Sequence, residues 1–192
     1  MARHNGRIIH EAMLSADDTN ALAAKLLQVD GIGYINIETA DGHFVSKPID
    51  LSNPQWKGYE STIVADFSQG TLGKTPKIAA EMPKPEAVRD IIVQFPHVAA
   101  MGYTGEHWVT FANKNATKWQ AIMAVAAHLQ IGTENIAAFG DDMNDVEMLE
   151  KCGIGVAMDN GVDQAKAVAN FVCASNDDDG IAQWIEENLS WT

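Results

Sequence analysis

Apolar residues recur along this chain in two different rhythms. In the first part, Ser15-Ala-Asp-Asp18 precedes Leu22, Leu26 and Leu27 at helical spacing. With Ser15 as N-cap and Asp18 as a short-armed substitute for Glu, the quartet reads as a capping box. The helix it opens is expected to stop before Gly31. Tyr34-Ile-Asn-Ile-Glu38 reads as a strand, Ala40-Asp-Gly-His43 is a hairpin turn signal, and Phe44-Val45 leads the return strand. Residues 50–59 hold Pro54, Gly58 and few apolar positions, which describes a loop. Residues 61–67 are expected to form a strand. Pro83-Lys84-Pro85 opens a helix that turns Val88, Ile91, Ile92 and Phe95 to the core. Residues 98–103 and 107–111 form a hairpin around Thr104-Gly105. Hairpins interleaved with helices describe an α+β arrangement.

Beyond residue 112 the rhythm changes. A long helix over 116–129 places Ile122, Val125, Ala126 and Leu129 on one side. Strand 136–139, helix 144–151, strand 154–158, helix 162–168, a short strand at 171–173 and helix 180–189 follow. Strands alternating with helices through short loops specify a parallel sheet. The spacing predicts two domains, residues 1–111 and 112–192, with no internal repeat and no low-complexity segment.

Composition narrows the classes of function. The chain has 192 residues, 46% hydrophobic and 20% charged, which is globular rather than disordered. No apolar run reaches the ~18 residues of a membrane span. Met1-Ala-Arg-His-Asn-Gly lacks the apolar stretch of a signal peptide, so a cytoplasmic location and no membrane partner are expected. The net charge of −13 repels a nucleic-acid backbone, so no nucleic-acid partner is expected. Cys152 and Cys173 lie in apolar stretches and fit no metal motif, as buried thiols do.

Candidate chemistry concentrates in Phe139-Gly-Asp-Asp-Met-Asn-Asp145. Three carboxylates and an amide stand where a strand passes into a helix, and in parallel α/β folds ligands bind beyond the carboxyl ends of the strands. Carboxylates crowded there repel one another unless a cation lies among them, and oxygen donors of this kind suit Mg²⁺. Lys118 stands at a helix start, where the dipole disfavours a cation, and this placement points to an anion met by its ammonium group. A phosphate site in so acidic a chain requires such a charge. Asn160, before Gly161, ends the next strand at the same sheet edge. It is placed to orient the acidic loop or to contact phosphate, although Asn before Gly also serves turns. Asp177-Asp-Asp179 is read as the acidic N-terminus of a helix rather than as a second cation loop. Ser68-Gln-Gly-Thr-Leu-Gly-Lys74-Thr75 nearly matches a P-loop, but its first Gly is replaced and no good helix follows. Gly31-Ile-Gly33 is weaker still. The six histidines are scattered with no close pair in sequence.

Four ordered blocks carry a resemblance. They are Asn115-Ala-Thr-Lys118, Ile136-Ala-Ala-Phe-Gly-Asp-Asp-Met-Asn-Asp-Val-Glu-Met-Leu149, Gly153-Ile-Gly-Val-Ala-Met-Asp-Asn160, and Ala169-Asn-Phe-Val172 leading to Asp179-Gly-Ile181. Together they resemble the C-terminal part of Cof-type phosphatases of the haloacid dehalogenase superfamily. Residues 1–111 are similar, more loosely, to the α/β cap of that family, with Asn5-Gly6 through Ser15 like the point where such a cap begins. The resemblance implies an α/β fold, a partial Rossmann-like core of parallel sheet and helices plus an α+β cap domain. It implies Lys118 as the phosphate-contacting lysine, Asp141 as a direct Mg²⁺ ligand, Asp145 as support for the metal, and Asn144 as a group that positions the loop and the phosphoryl group. The implied reaction is phosphate-ester hydrolysis through an aspartyl-phosphate, on a small phosphorylated metabolite such as a sugar phosphate or phosphorylated cofactor.

The chain departs from that pattern in one large respect. The family opens with a strand ending in Asp-x-Asp-Gly-Thr, and this sequence contains no such motif. The expectation is a truncated form with weak or no phosphatase activity; a non-catalytic relic that binds a ligand or a partner is the alternative. Strand 136–139 is then left as an apolar edge, through which homo-oligomerisation, or else poor solubility, is expected. Trp119 stands where the family has a small residue, which implies a narrower mouth or altered helix packing.

Overall fold

The computed structural model describes residues 1–84, 86–102 and 107–189. Its first element is a hairpin in which β1 (Ala2–His4) and β2 (Arg7–His10) pair antiparallel. Asn5 and Gly6 turn the chain with φ of 48° and 77°, the left-handed pair that matches strand twist in a two-residue loop. The chain divides into two compact units, residues 12–116 and residues 1–11 with 117–192. The sequence reading set the boundary at 112 and placed residues 1–11 in the cap. The structure puts them in the other unit because the hairpin packs against the long helix that begins at Lys118.

In residues 12–116, Ser15 caps α1 (Ala16–Leu26) and its hydroxyl accepts the Asp18 N–H at 3.1 Å. The short Asp18 arm meets that hydroxyl at 2.7 Å instead of reaching the backbone. A six-stranded sheet follows, built from β3 (Ile35–Thr39), β4 (Gly42–Val45), β5 (Ile63–Val64), β6 (Lys77–Glu81), β7 (Val98–Gly102) and β8 (Trp108–Asn113), with α2 (Glu86–Gln94) between β6 and β7. The order is β5-β4-β3-β6-β8-β7, antiparallel except for the β4–β5 pair. Alternation turns Ile35, Ile37, Ile78, Ala80 and Phe111 toward Leu22 and Leu26 of α1 and Ile91 of α2. Burial of each large side chain stabilises by about 1.5–3 kcal/mol. Val88, Ile92 and Phe95 pack against the same cluster, as the helical spacing predicts.

One expectation in this unit needs correction. Of residues 61–67 only Ile63 and Val64 form a strand, because the Asp66 carboxylate accepts the Ser68 N–H and starts a 3₁₀ turn at Phe67–Gln69. Lys77–Glu81, where no good helix was expected after the P-loop near miss, is a central strand. Pro85 and the Thr104-Gly105 turn lie outside the described residues. On the second face of the sheet the 50–59 loop is pinned by Trp56. Its buried indole meets Tyr34, Tyr59 and Trp108 edge-on at centroid distances of 4.8, 5.6 and 6.2 Å.

The other unit holds α3 (Lys118–Leu129), β9 (Ala137–Gly140), α4 (Val146–Lys151), β10 (Ile154–Met158), α5 (Asp163–Val168), β11 (Phe171–Cys173) and α6 (Gly180–Asn188). The three strands form a parallel sheet in the order β11-β10-β9, which leaves β9 at an edge among the described residues. Ala138 and Ala157 face Trp119, Leu149 and Ala165, whereas Val156 and Met158 face Trp184 of α6. Both faces are therefore covered, as parallel sheets require. Trp119 is buried among helix residues with the Lys151 ammonium 5.6 Å from its ring centroid, so its bulk is taken up in helix packing. No helix among the described residues is long and apolar enough to cross a membrane.

Cys152 and Cys173 are buried, and desolvation pushes both thiols up. Ellman's reagent is expected to find almost no reactive thiol in the native protein at pH 7.5 and two in denaturant. The unfolded chain ionises these thiols first, near 8.5. Their contribution to stability is complete below that pH and is lost as pH rises through the higher folded values; urea midpoints at pH 7.5 and 9.5 check this sign.

Candidate active site

β9 delivers the chain to its carboxyl end at Gly140, and the next five residues fold back on one carboxylate. Asp145 closes the 3₁₀ turn Met143–Asp145 and is 1% exposed. Its Oδ2 accepts the backbone N–H groups of Asp141 at 3.1 Å and of Asp142 at 3.2 Å. Its Oδ1 accepts the Lys118 ammonium at 2.5 Å. Asp142 caps the same turn by accepting the Met143 N–H at 2.7 Å. Gly140 is required by close approach, because a Cβ there would stand 2.4 Å from the Asp145 Cβ.

Lys118 reaches this corner from the first turn of α3, whose N-cap Thr117 accepts the Gln120 N–H at 3.1 Å. The helix dipole disfavours a cation there, and the buried Asp145 charge offsets the cost. The ammonium is half exposed and has three protons to donate, so it reaches beyond Asp145 into the cleft. That cleft, about 540 Å³, is lined by Lys118, Asp141, Asp145 and Asn176 together with apolar Phe139 and Ile185.

The remaining sequence candidates are placed as follows. Asp141 is half-buried, and its Oδ2 accepts the Asn176 amide at 3.3 Å. Asn144 is exposed on the 3₁₀ turn beside Asp145. Asn160 is exposed, and its Oδ1 accepts the Asn176 N–H at 3.1 Å. Lys118, Asp141, Asp145 and, through Asn176, Asn160 thus converge on one end of the sheet. Asp178 instead accepts the Ser175 hydroxyl at 2.7 Å. The P-loop near miss leads into strand β6 and not into a helix, so no helix N-terminus is available to bind phosphate there. His4 and His128, remote in sequence, stand 3.1 Å apart by their ring nitrogens. Asn176 was missed by sequence reasoning; its signal was a polar residue just beyond the apolar strand at 171–173, at the ligand-binding end of the sheet. Among the described residues no group of three or more His, Cys, Asp or Glu side chains is placed to hold a metal ion.

The family model for haloacid dehalogenase-like hydrolases matches residues 1–185. The chain belongs to this family. The chain is 38% identical over 84 residues to the 5-amino-6-(5-phospho-D-ribitylamino)uracil phosphatase YitU of Bacillus subtilis, a match covering 44% of the chain and 31% of the relative. It is 45% identical over 76 residues to the pyridoxal phosphate phosphatase YbhA of Escherichia coli, covering 40% of the chain and 26% of the relative. The chain thus spans about a third or less of the length of these curated relatives. Among solved structures, a Eubacterium rectale protein superposes with a TM-score of 0.79 at 21% identity, over 97% of this chain and 73% of that one. The subclass IIB sugar phosphatase BT4131 gives 0.75 at 21%, over 94% and 69%. These similarities establish the haloacid dehalogenase fold.

Replacing Lys118 by Ala removes one of three donors to the buried Asp145 carboxylate. Because the lysine is half exposed, water can take its place, and a loss of about 1–2 kcal/mol is expected in urea unfolding. Gly140→Ala forces Asp145 away from its donors and is expected to cost about 1–3 kcal/mol in the same assay.

Proposed function

We propose that this chain carries the phosphate- and cation-holding part of a haloacid dehalogenase-type phosphatase site for small phosphorylated metabolites, sugar phosphates or phosphorylated cofactors. The observation that carries the reading is the Lys118 ammonium anchored on buried Asp145 beside the Asp141 carboxylate, at one end of a parallel sheet. Lys118 holds the phosphoryl group and offsets the negative charge that builds on it. Asn144 and Asn160 position that group from the rim. Asp145 holds Lys118 through one oxygen and the loop through the other, and so supports the cation site from behind.

The donor set fits a partial Mg²⁺ site. Asp141 has one oxygen bonded to Asn176 and the other without a protein partner among the described residues, and Mg²⁺ binds through one or two carboxylates while keeping several waters. When bound, Mg²⁺ supplies charge stabilisation to the transferring phosphoryl group. The attacking carboxylate of the family motif Asp-x-Asp-Gly-Thr does not occur in the sequence, so the chain alone is expected to hydrolyse phosphate esters slowly or not at all. That same observation favours a second reading, a ligand-binding role without turnover. The edge position of β9 supports self-association through this strand, which sedimentation at increasing concentration would reveal.

Asp141→Ala is expected to abolish the rise in Tm produced by Mg²⁺, and Asp178→Ala to leave it intact; equal loss in both would sink the choice of loop. Any residual turnover of p-nitrophenyl phosphate should fall at least tenfold in Lys118→Ala. Phosphate binding with no turnover in the parent chain is compatible with both readings, whereas measurable turnover that Lys118→Ala lowers would exclude the second.

A further inference from the structure

We infer that Asn176 is a positioning residue for the cation-holding carboxylate, and that Asn160 acts through it. This rests on the reading of Asp141 as the group that meets the cation. Three loops leave the carboxyl ends of β9, β10 and β11, and they are tied together at Asp141. The loop after β9 contributes Asp141 itself. The loop after β10 holds the Asp141 main chain, because its carbonyl accepts the Val162 N–H at 2.8 Å. A Cβ on Gly161 would stand 2.9 Å from the Met158 carbonyl oxygen and 3.0 Å from the Asp141 Cα, so a side chain there would push the two backbones apart. The loop after β11 holds the side chain, because Asn176 Nδ2 donates to Asp141 Oδ2 at 3.3 Å. The Asn160 amide oxygen accepts the Asn176 N–H at 3.1 Å and fixes the start of that loop.

This arrangement has a chemical consequence. A neutral amide on Oδ2 restrains rotation of the carboxylate without cancelling its charge. The other oxygen, Oδ1, has no protein partner among the described residues, and Asp141 lines the cleft together with Lys118. A charged partner such as Lys would hold the carboxylate equally well but would repel the incoming cation. An acid would add repulsion before the cation arrives. Asn satisfies both conditions, and it gives the polar residue before Asp177-Asp-Asp179 a role in the cleft. Groups that hold a metal ligand in place are worth about 10–100-fold in metal affinity.

The test measures Mn²⁺ binding to the full chain by electron paramagnetic resonance, with Tm in the absence of metal as the control. Asn176→Ala is expected to weaken Mn²⁺ binding about tenfold and to leave the metal-free Tm within about 2 °C, since the amide lies at the surface. Asn160→Ala should weaken binding less, and the double variant should be no weaker than Asn176→Ala alone, which marks the two residues as one path. Binding that is lost in Asp141→Ala but retained in Asn176→Ala would overturn the inference alone. An absence of Mn²⁺ binding in the parent chain would overturn the cation reading and this inference with it. Additive losses in the double variant would refute the path from Asn160.

Discussion

The carboxylate of Asp145 is the constraint on which the candidate site depends. It lies 1% exposed, and a charge so placed persists only if its lone pairs are occupied. The fold meets that demand with two backbone N–H groups of the turn after β9 and with the ammonium of Lys118. The two N–H bonds fix the backbone of Asp141 and Asp142. The ammonium bond brings the first turn of α3 to the end of β9. One buried group thus sets the position of the site's cation and of its half-buried acid at the same time. In a protein of net charge −13, this pairing keeps one positive group at the mouth of the cleft, where an anion would otherwise be repelled.

Much of the fold was legible because periodicity and caps agree. Val88, Ile91, Ile92 and Phe95 turned inward as spaced, Ser15 capped its helix, and the alternation after residue 112 produced a parallel sheet. The failures have physical causes. Lys77-Ile-Ala-Ala-Glu81 carries little β propensity of its own and becomes a strand because β3 and β8 flank it on either side. At Asp66 a side chain competed with the sheet for the backbone and ended the strand early. The Asn5-Gly6 hairpin was signalled in the sequence but was read as the start of the cap.

For the candidate site, sequence placed Lys118, Asp141 and Asp145 at ends of elements that converge, since a strand-to-helix junction and a helix start are both readable locally. The resemblance assigned the two acids different roles, but the contacts that would separate them could not be read from the chain. Asp141 and Asp145 are both acids of one motif, yet Asp145 accepts three donors whereas Asp141 has one oxygen without a protein partner among the described residues. That difference arises from a 3₁₀ turn, a close approach at Gly140 and an amide from a loop remote in sequence. Asn176 lies 35 residues from the acid it touches, and single-sequence patterns do not carry such separations.

The hairpin at Ala2–His10 has a consequence for how the molecule is made. A two-stranded hairpin alone is marginal in water, and its support here is α3, which begins only at Lys118. Residues 12–116 possess a hydrophobic cluster of their own and can organise as soon as they leave the ribosome. The nascent chain therefore carries an early segment whose docking surface is synthesised much later. Translation speed through the intervening stretch sets how long that segment waits.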